Sequence, residues 1–508
     1  MSASPFAALA WFLPGALLAA ALLVRLRPRQ AWPIGTGALL AAPVLAVLAV
    51  PALAPANRVM AFLITGIGAI TLRFSQRYLD GEPDTARYVH WFLLAISGAS
   101  LVAVSRDLIV TGLAWTLTSL ALHQLLTFGP ARAAAEIAAH KKFLLSRVAD
   151  LGVAAAVLLI GRAYHSTDLG VILESAAAGY VPTAAGVGTT LLALAIVLRS
   201  AQLPFHGWLI QVMEAPTPVS ALLHAGVVNL GAFVAISLAP LFLATAPAMA
   251  VLVAAGALSA TLASLTMRTR GSVKGALAWS TCAQMGFVLV EIGLGAFDLA
   301  LLHIVAHGAY KAHAFLSSGS GVPAAVQRPA AVPAPRGLHW ALATVLAPAL
   351  VVGTALAFWG GFAERQTNIV SAGVLALALM PTVAQLLAAP TAAARRSALA
   401  IALGLPALYT LWHAALAPVV PVPAALPLPL WAAALTLAAF AAALTTQAIV
   451  AAAPQGTVAR RLYPHAAAGF HLDAVFTRLT FRLWPPTITA PAMRQRRERS
   501  PLRIERAA

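Results

Sequence analysis

The chain has 508 residues, 61% of them hydrophobic and 9% charged, with a mean hydropathy of +0.86. Soluble domains carry about a quarter of their residues as charges, so this composition excludes a soluble enzyme or a disordered chain and predicts an all-α polytopic membrane protein. The net charge of +18 fits basic cytoplasmic loops rather than a nucleic-acid site, and the lone Cys282 excludes an intrachain disulfide, a Cys-rich zinc site and an iron–sulfur cluster.

Each crossing takes about 20 apolar residues. Apolar runs between charges and Pro/Gly breaks predict fifteen spans, near 5–24, 33–54, 59–76, 88–105, 108–129, 145–163, 186–212, 217–241, 246–266, 273–295, 299–320, 339–361, 368–389, 397–417 and 429–453. The first has no charged segment before it and a second span directly after it, so it reads as a span and not as a cleaved signal peptide. With the N-terminus outside, alternation puts 27 Lys and Arg on the cytoplasmic side, Lys141 and Lys142 among them, against Arg58, Arg106, Arg162 and Arg365 outside. That asymmetry predicts a cytoplasmic C-terminus. Beyond residue 455, His465 to Trp484 reads as an amphipathic helix on the cytoplasmic surface. Arg494-Gln-Arg-Arg-Glu-Arg then reads as a solvated tail near anionic lipid.

Ionisable groups inside spans are expensive and mark ion routes. In chain order, span five carries Trp115, Thr116, His123 and Gln124, and span six begins at Arg147 with Asp150 near its inner boundary. Span seven contains Arg199-Ser-Ala-Gln202-Leu-Pro204. Pro204 removes a backbone donor and predicts a broken helix, which membranes tolerate where it lines a polar cavity. His206, Trp208 and Glu214 follow, then His224 and Asn229 in span eight. Span ten holds Ser280, Thr281, Gln284 and Glu291, the last read as reaching the outer interface. Span eleven is the densest. His303, His307 and Lys311 recur every four residues and so share one helix face. Imidazoles titrate near neutral pH and a desolvated amine can exchange protons, so this stripe reads as a proton relay.

Arg199-Ser-Ala-Gln-Leu-Pro-Phe-His-Gly-Trp-Leu and Met213-Glu-Ala-Pro-Thr-Pro-Val-Ser-Ala-Leu-Leu-His224 resemble the signature of antiporter-like subunits. These are the proton-pumping membrane subunits of respiratory complex I and their relatives in multisubunit cation/proton antiporters. Phe143-Leu-Leu-Ser-Arg147-Val-Ala-Asp150, Lys274-Gly-Ala-Leu-Ala-Trp-Ser-Thr-Cys-Ala-Gln-Met-Gly and the His303 to Lys311 stretch carry the same resemblance, strongest over residues 55–320. It implies two inverted five-helix repeats with one broken helix each: N-terminal helices over 1–87, a first repeat over 88–241, a second over 242–389, C-terminal helices over 390–455 and a cytoplasmic segment over 456–508. The second break is expected near Pro348 or Gly360-Gly361. Asp150, Arg199, His224, His303, His307 and Lys311 would form the ion route, with Thr116, His123, Gln202, Glu214, Ser280 and Gln284 as secondary candidates.

Two departures narrow the resemblance. Trp115-Thr116 stands where the complex I type has Trp-Glu, and Arg199 stands where it has a lysine. Arg stays protonated, so Arg199 is expected to act as a fixed charge beside Asp150 or His224. No Lys follows Lys311, although that family has an exit-side lysine. Trp115-Thr-Leu-Thr-Ser-Leu-Ala-Leu-His-Gln, then Ala139-His-Lys-Lys-Phe, resembles the membrane subunit of DAB-type inorganic carbon transporters. The end of the chain soon after Gly469-Phe-His-Leu-Asp-Ala-Val-Phe, without a long lateral helix, is similar too. The resemblance implies a bacterial inner-membrane transport subunit, not itself an enzyme and without a cofactor of its own. Its partner on the cytoplasmic side would be a soluble, zinc-containing protein similar to β-carbonic anhydrases, and the pair would accumulate bicarbonate. The alternatives are a proton-pumping subunit of a complex I type quinone oxidoreductase or a cation/proton antiporter subunit.

Overall fold

The computed structural model describes residues 7–128, 133–319, 335, 337–359, 366–416, 418–420 and 429–485. Within them the chain is helical, and the only strand-like pairing is a bridge between Asp107 and Asp168. In order the helices are α1 (Ala7–Leu26), α2 (Ala31–Leu48), α3 (Pro55–Tyr78), α4 (Thr85–Val104), α5 (Leu108–Leu126), α6 (Ala133–Tyr164), α7 (Leu169–Ala177), α8 (Thr183–Arg199), α9 (Gly207–Gln211), α10 (Thr217–Ala225) and α11 (Leu230–Ser237). There follow α12 (Ala239–Leu243), α13 (Ala246–Met267), α14 (Val273–Gly293), α15 (Phe297–Leu316), α16 (Gly337–Trp359), α17 (Gln366–Ala388), α18 (Ala392–Leu416), α19 (Leu430–Ala452), α20 (Thr457–Ala467) and α21 (Ala474–Leu483). Helices dominate because a backbone surrounded by lipid must satisfy its own hydrogen bonds.

Thirteen helical stretches among the described residues are long and apolar enough to cross a membrane, with α10 and α11 counted as one. The other two of the fifteen expected spans correspond to α8, only 17 residues long, and α15, whose histidines, Asp298 and Lys311 lower its hydropathy. Polar caps help set the ends. Asp107 accepts from the amides of Ile109 and Val110 at the start of α5 (2.8 and 3.0 Å) and from the Thr167 hydroxyl (2.6 Å). Burial acts to raise its carboxyl, but these donors outweigh that and hold it below its ordinary value.

The chain breaks where the polar signature lies, though not as one span. The expected span 186–212 ends as a long helix at Arg199, and Gly207–Gln211 is separate. Between them Ala201 takes φ +52° and Pro204 has no amide hydrogen. Neighbouring helices satisfy the opened backbone: the Leu203 amide donates to Ser259 Oγ at 3.0 Å, and the Cys282 thiol to the Ala201 carbonyl at 3.3 Å. The expected span 217–241 is also interrupted, by a 3-10 turn at Val227–Asn229 between α10 and α11. By contrast α16 runs without interruption through Pro348, and Gly360-Gly361 lie outside the described residues.

The C-terminal segment corrects another expectation. His465 to Trp484 is not one helix: α20 and α21 are separated by Gly469, Phe470 and His471, all with positive φ. Of its apolar residues Phe476 packs against Phe205, at 4.8 Å between ring centroids, while Val475, Leu479 and Leu483 are exposed. Arg494 to Arg499 lie outside the described residues.

Helices α13 and α14 approach through small residues. A Cβ on Gly286 would meet the Ala260 amide and the Gly256 carbonyl at 2.7 Å, and such backbone contact is how membrane helices pack without a water-driven force. Gly286→Ala is therefore expected to lower stability by about 1–3 kcal/mol through overpacking. Gly66→Ala, which meets nothing within 4 Å, is expected to be neutral or stabilising. Thermal unfolding in detergent compares the two, and equal midpoints would contradict the close α13–α14 contact.

Candidate functional site

Helix α6 has 32 residues, about 48 Å at 1.5 Å per residue, so it carries several polar side chains along the protein interior. Asp150 sits midway. Its Oδ2 pairs with Arg147 one turn earlier at 2.7 Å, and its Oδ1 pairs with Arg199 and accepts from Thr116 Oγ1 at 3.0 Å. Arg199 is 9% exposed and lies over the Trp115 ring, 4.3 Å from its centroid. Trp115 and Thr116 of α5, Arg147 and Asp150 of α6, and Arg199 at the end of α8 thus form one cluster, with two guanidiniums on one carboxylate.

Lys142 lines the same small cavity as Ser119, Ser146 and Arg199, about 30 Å³ in volume, on the order of one water. Its amine donates to the Ser119 hydroxyl at 3.0 Å and to the Ser119 carbonyl. Lys141, 1% exposed, turns to the C-terminal segment and pairs with Asp473 at 2.7 Å and Thr477 at 2.9 Å. Both lysines were expected in a cytoplasmic loop; instead the helix extends over them and buries them. Removing both from the charge count leaves its asymmetry in place.

The second cluster lies on α14 and α15. The expected stripe exists: the His303 and His307 rings are 6.2 Å apart, and Lys311 follows one turn on. His303 bridges Glu291 Oε2 at 3.0 Å and Gln284 Oε1 at 2.6 Å. Lys311 is fully buried and donates to Ser280 Oγ at 2.8 Å and the Leu277 carbonyl at 2.9 Å. The row runs from an exposed end at Gln284 to a sealed end at Lys311. From His303 to Lys311 it covers about 12 Å of helix axis. Glu291, expected at the outer interface, is instead 8% exposed and part of this network.

His224 belongs to the second cluster. Its ring stacks on Phe315 at 4.5 Å and 16°, and both of its ring nitrogens are buried without a hydrogen bond. Arg199 thus pairs with Asp150, not with His224.

The secondary candidates scatter. Thr116 joins the first cluster, and Ser280 and Gln284 the second. His123 faces Phe143 at 5.0 Å and Trp484 at 6.1 Å, beside the stacked pair of His140 and Trp484. Gln202 folds back on the broken backbone, its amide donating to the Ser200 carbonyl at 2.7 Å. Glu214 closes the 3-10 turn Val212–Glu214. Sequence reasoning missed Lys142, Lys141 and Asp473. The one available signal was the similarity of the Lys141-Lys142 region to a transporter motif. Among the described residues, no group of three or more His, Cys, Asp and Glu side chains is placed to share a metal ion.

The family described as NADH:quinone oxidoreductase/Mrp antiporter, transmembrane, matches residues 105–385. A probable inorganic carbon transporter subunit DabB of Hydrogenovibrio crunogenus is 43% identical over 298 residues, 58% of each chain. The probable inorganic carbon transporter subunit DabB2 of Halothiobacillus neapolitanus is 46% identical over 265 residues, 52% of this chain and 48% of that one. NAD(P)H-quinone oxidoreductase chain 5 of Synechocystis is 31% identical over 52% of this chain and 40% of its own. The chain spans about half the length of the curated relatives it matches. Among solved structures, the Mrp complex from Dietzia has the same fold over 98% of this chain and 59% of that one, with a TM-score of 0.57 at 23% identity. An archaeal membrane-bound sulfane sulfur reductase complex gives 0.55 at 17% identity, over 94% of this chain and 99% of that one.

The Lys141–Asp473 pair yields a stability test. Asp473→Ala leaves a buried ammonium without its counter-charge and is expected to cost about 3 kcal/mol. The double variant Lys141→Met with Asp473→Leu is expected to regain most of that, because it removes the charge as well. Unfolding midpoints of the purified protein read both. A neutral Asp473→Ala would mean that the C-terminal helices do not dock on α6.

Proposed function

The chain belongs to the NADH:quinone oxidoreductase/Mrp antiporter transmembrane family, and from that premise we propose that it is the ion-translocating membrane subunit of an inorganic carbon transporter. It moves protons and so energises accumulation of bicarbonate by a soluble, zinc-containing partner resembling carbonic anhydrases. The relatives named as inorganic carbon transporter subunits support this branch. The hydration chemistry and the zinc belong to the partner in this reading. A hydratase alone only equilibrates CO2 and bicarbonate. Net accumulation needs a linked gradient, and an ion drives a two-state change only through differential binding to its states.

The observation that carries the ion-translocating reading is Lys311, a fully buried amine at the sealed end of a row formed with Glu291, His303 and His307. Every member can gain and lose a proton, and His224 adds a ring with both nitrogens unengaged. Sodium sites use oxygen ligands, so the imidazoles and the amine favour protons. In the first cluster Arg199 serves as a fixed charge on Asp150, while Lys142 supplies an exchangeable amine in the same cavity. We place the chain in a bacterial inner membrane with the N-terminus outside, which puts α20, α21 and the partner on the cytoplasmic side. The second reading is a proton-pumping subunit of a quinone oxidoreductase or a cation/proton antiporter, favoured by the likeness to quinone oxidoreductase chains. Co-purification separates the two: a soluble zinc protein supports the first reading, and redox or antiporter subunits the second.

Lys311→Ala is expected to abolish carbon-dependent growth rescue while the protein remains in the membrane. Lys311→Arg is expected to fail as well, since it keeps the charge but cannot release the proton. Bicarbonate uptake at matched membrane levels is the measurement. Uptake preserved in Lys311→Arg would reduce Lys311 to a structural charge.

A further inference from the structure

A second cavity, of about 620 Å³, opens between the last turns of α13 and α19 and the amphipathic helix α20. Its size lies in the range of small-molecule sites. Leu265, Val450 and Leu462 are half-buried in its wall, while Arg268, Arg460 and Tyr463 are exposed on it. The cavity therefore lies where two membrane helices end, the level at which lipid tails give way to headgroups, and a tyrosine is characteristic of that level.

Among the described residues the charges there have no counter-charge, and no acidic one lines the cavity. Beyond Asp298 the only acid among the described residues is Asp473, which Lys141 holds. Neither Arg268 nor Arg460 has a carboxylate partner among the described residues. A third arginine in this region is occupied differently: Arg270 donates to the carbonyls of Ala466 and Ala467 and so fixes the end of α20 that forms one wall.

We propose that this cavity binds an anionic phospholipid, its phosphodiester held by Arg268 and Arg460 and the start of an acyl chain laid along Leu265, Val450 and Leu462. Guanidinium groups match phosphate oxygens in a bidentate manner, and basic pockets at the ends of membrane helices recognise anionic headgroups. A free anion would engage the arginines and leave the apolar wall open. A zwitterionic lipid such as phosphatidylcholine would cover the wall and offer its phosphodiester, but its own ammonium offsets that charge and leaves the pair of arginines without a net counter-charge.

The test uses the full chain in micelles, with phosphatidylglycerol, phosphatidylcholine and inorganic phosphate as separate probes, followed by native mass spectrometry and unfolding midpoint. Phosphatidylglycerol is expected to be retained and to raise the midpoint, and the other two are not. Arg268→Gln with Arg460→Gln is expected to weaken its binding about 30-fold, the effect of two arginine–headgroup attractions. Val450→Trp, which fills the wall without changing charge, is expected to weaken it as well. Arg395→Gln with Arg396→Gln removes the same charge elsewhere and is expected to leave binding intact. Equal loss in that control would overturn the proposal, as would retention of phosphatidylcholine equal to phosphatidylglycerol, an equal response to inorganic phosphate, or full binding by both cavity variants.

Discussion

A backbone or a charge removed from water must find its partner inside the chain, and the main features of this protein follow from that constraint. It explains why the described segments are helical. It also explains how the chain can open between Arg199 and Gly207: Ser259 and Cys282, on the facing helices α13 and α14, take up the groups that the break releases. The same constraint governs the basic residues. Only four of the 33 are lysines. Each has a named internal partner: Asp473 for Lys141, Ser119 for Lys142, Thr217 for Lys274, and Ser280 with the Leu277 carbonyl for Lys311. Lysine is the basic residue able to surrender its proton, and three of the four are buried, Lys274 at the start of α14 being half-buried.

The two polar clusters differ in what they can do. Around Asp150, two guanidiniums that keep their protons hold one carboxylate, and Lys142 is the exchangeable group in the cavity beside them. Around Lys311 the carboxyl of Glu291, the imidazoles of His303 and His307 and the amine form a row that leads from an exposed end at Gln284 to a sealed one. In our reading the first cluster sets a field and the second carries the ion. His224, on the helix α10 that follows the break, rests on Phe315 of α15, the helix that carries the row. A movement of the broken segment would therefore be felt at the second cluster through packing.

Much of this was legible in the sequence because hydropathy and a period of four are strong signals. The stripe of His303, His307 and Lys311 could be placed on one face before any coordinates, and the thirteen long apolar stretches fall on the expected spans. Other features rest on contacts between residues distant in sequence. Lys141 and Asp473 are 332 positions apart, and a Lys-Lys pair at the edge of an apolar run looks like a loop until a helix from the far end of the chain covers it. Glu291 lies near the end of its span, where hydropathy places it at an interface; only the packing of α15 against α14 brings His303 to it. The split of the C-terminal segment arises from Gly469, Phe470 and His471 in the left-handed region, of which only the glycine leaves a local trace. Of the two places where resemblance put the second break, Pro348 lies inside a continuous helix, since membrane helices tolerate a proline, and Gly360-Gly361 lie outside the described residues.

The central claim is that a proton gradient, transmitted through this chain, drives carbon accumulation. The most direct measurement follows labelled bicarbonate in cells expressing this subunit together with the proposed soluble partner, before and after an uncoupler collapses both membrane potential and pH gradient. The account predicts that accumulation stops and the internal pool relaxes to equilibrium with external CO2. Accumulation that continues with both gradients collapsed would contradict proton coupling.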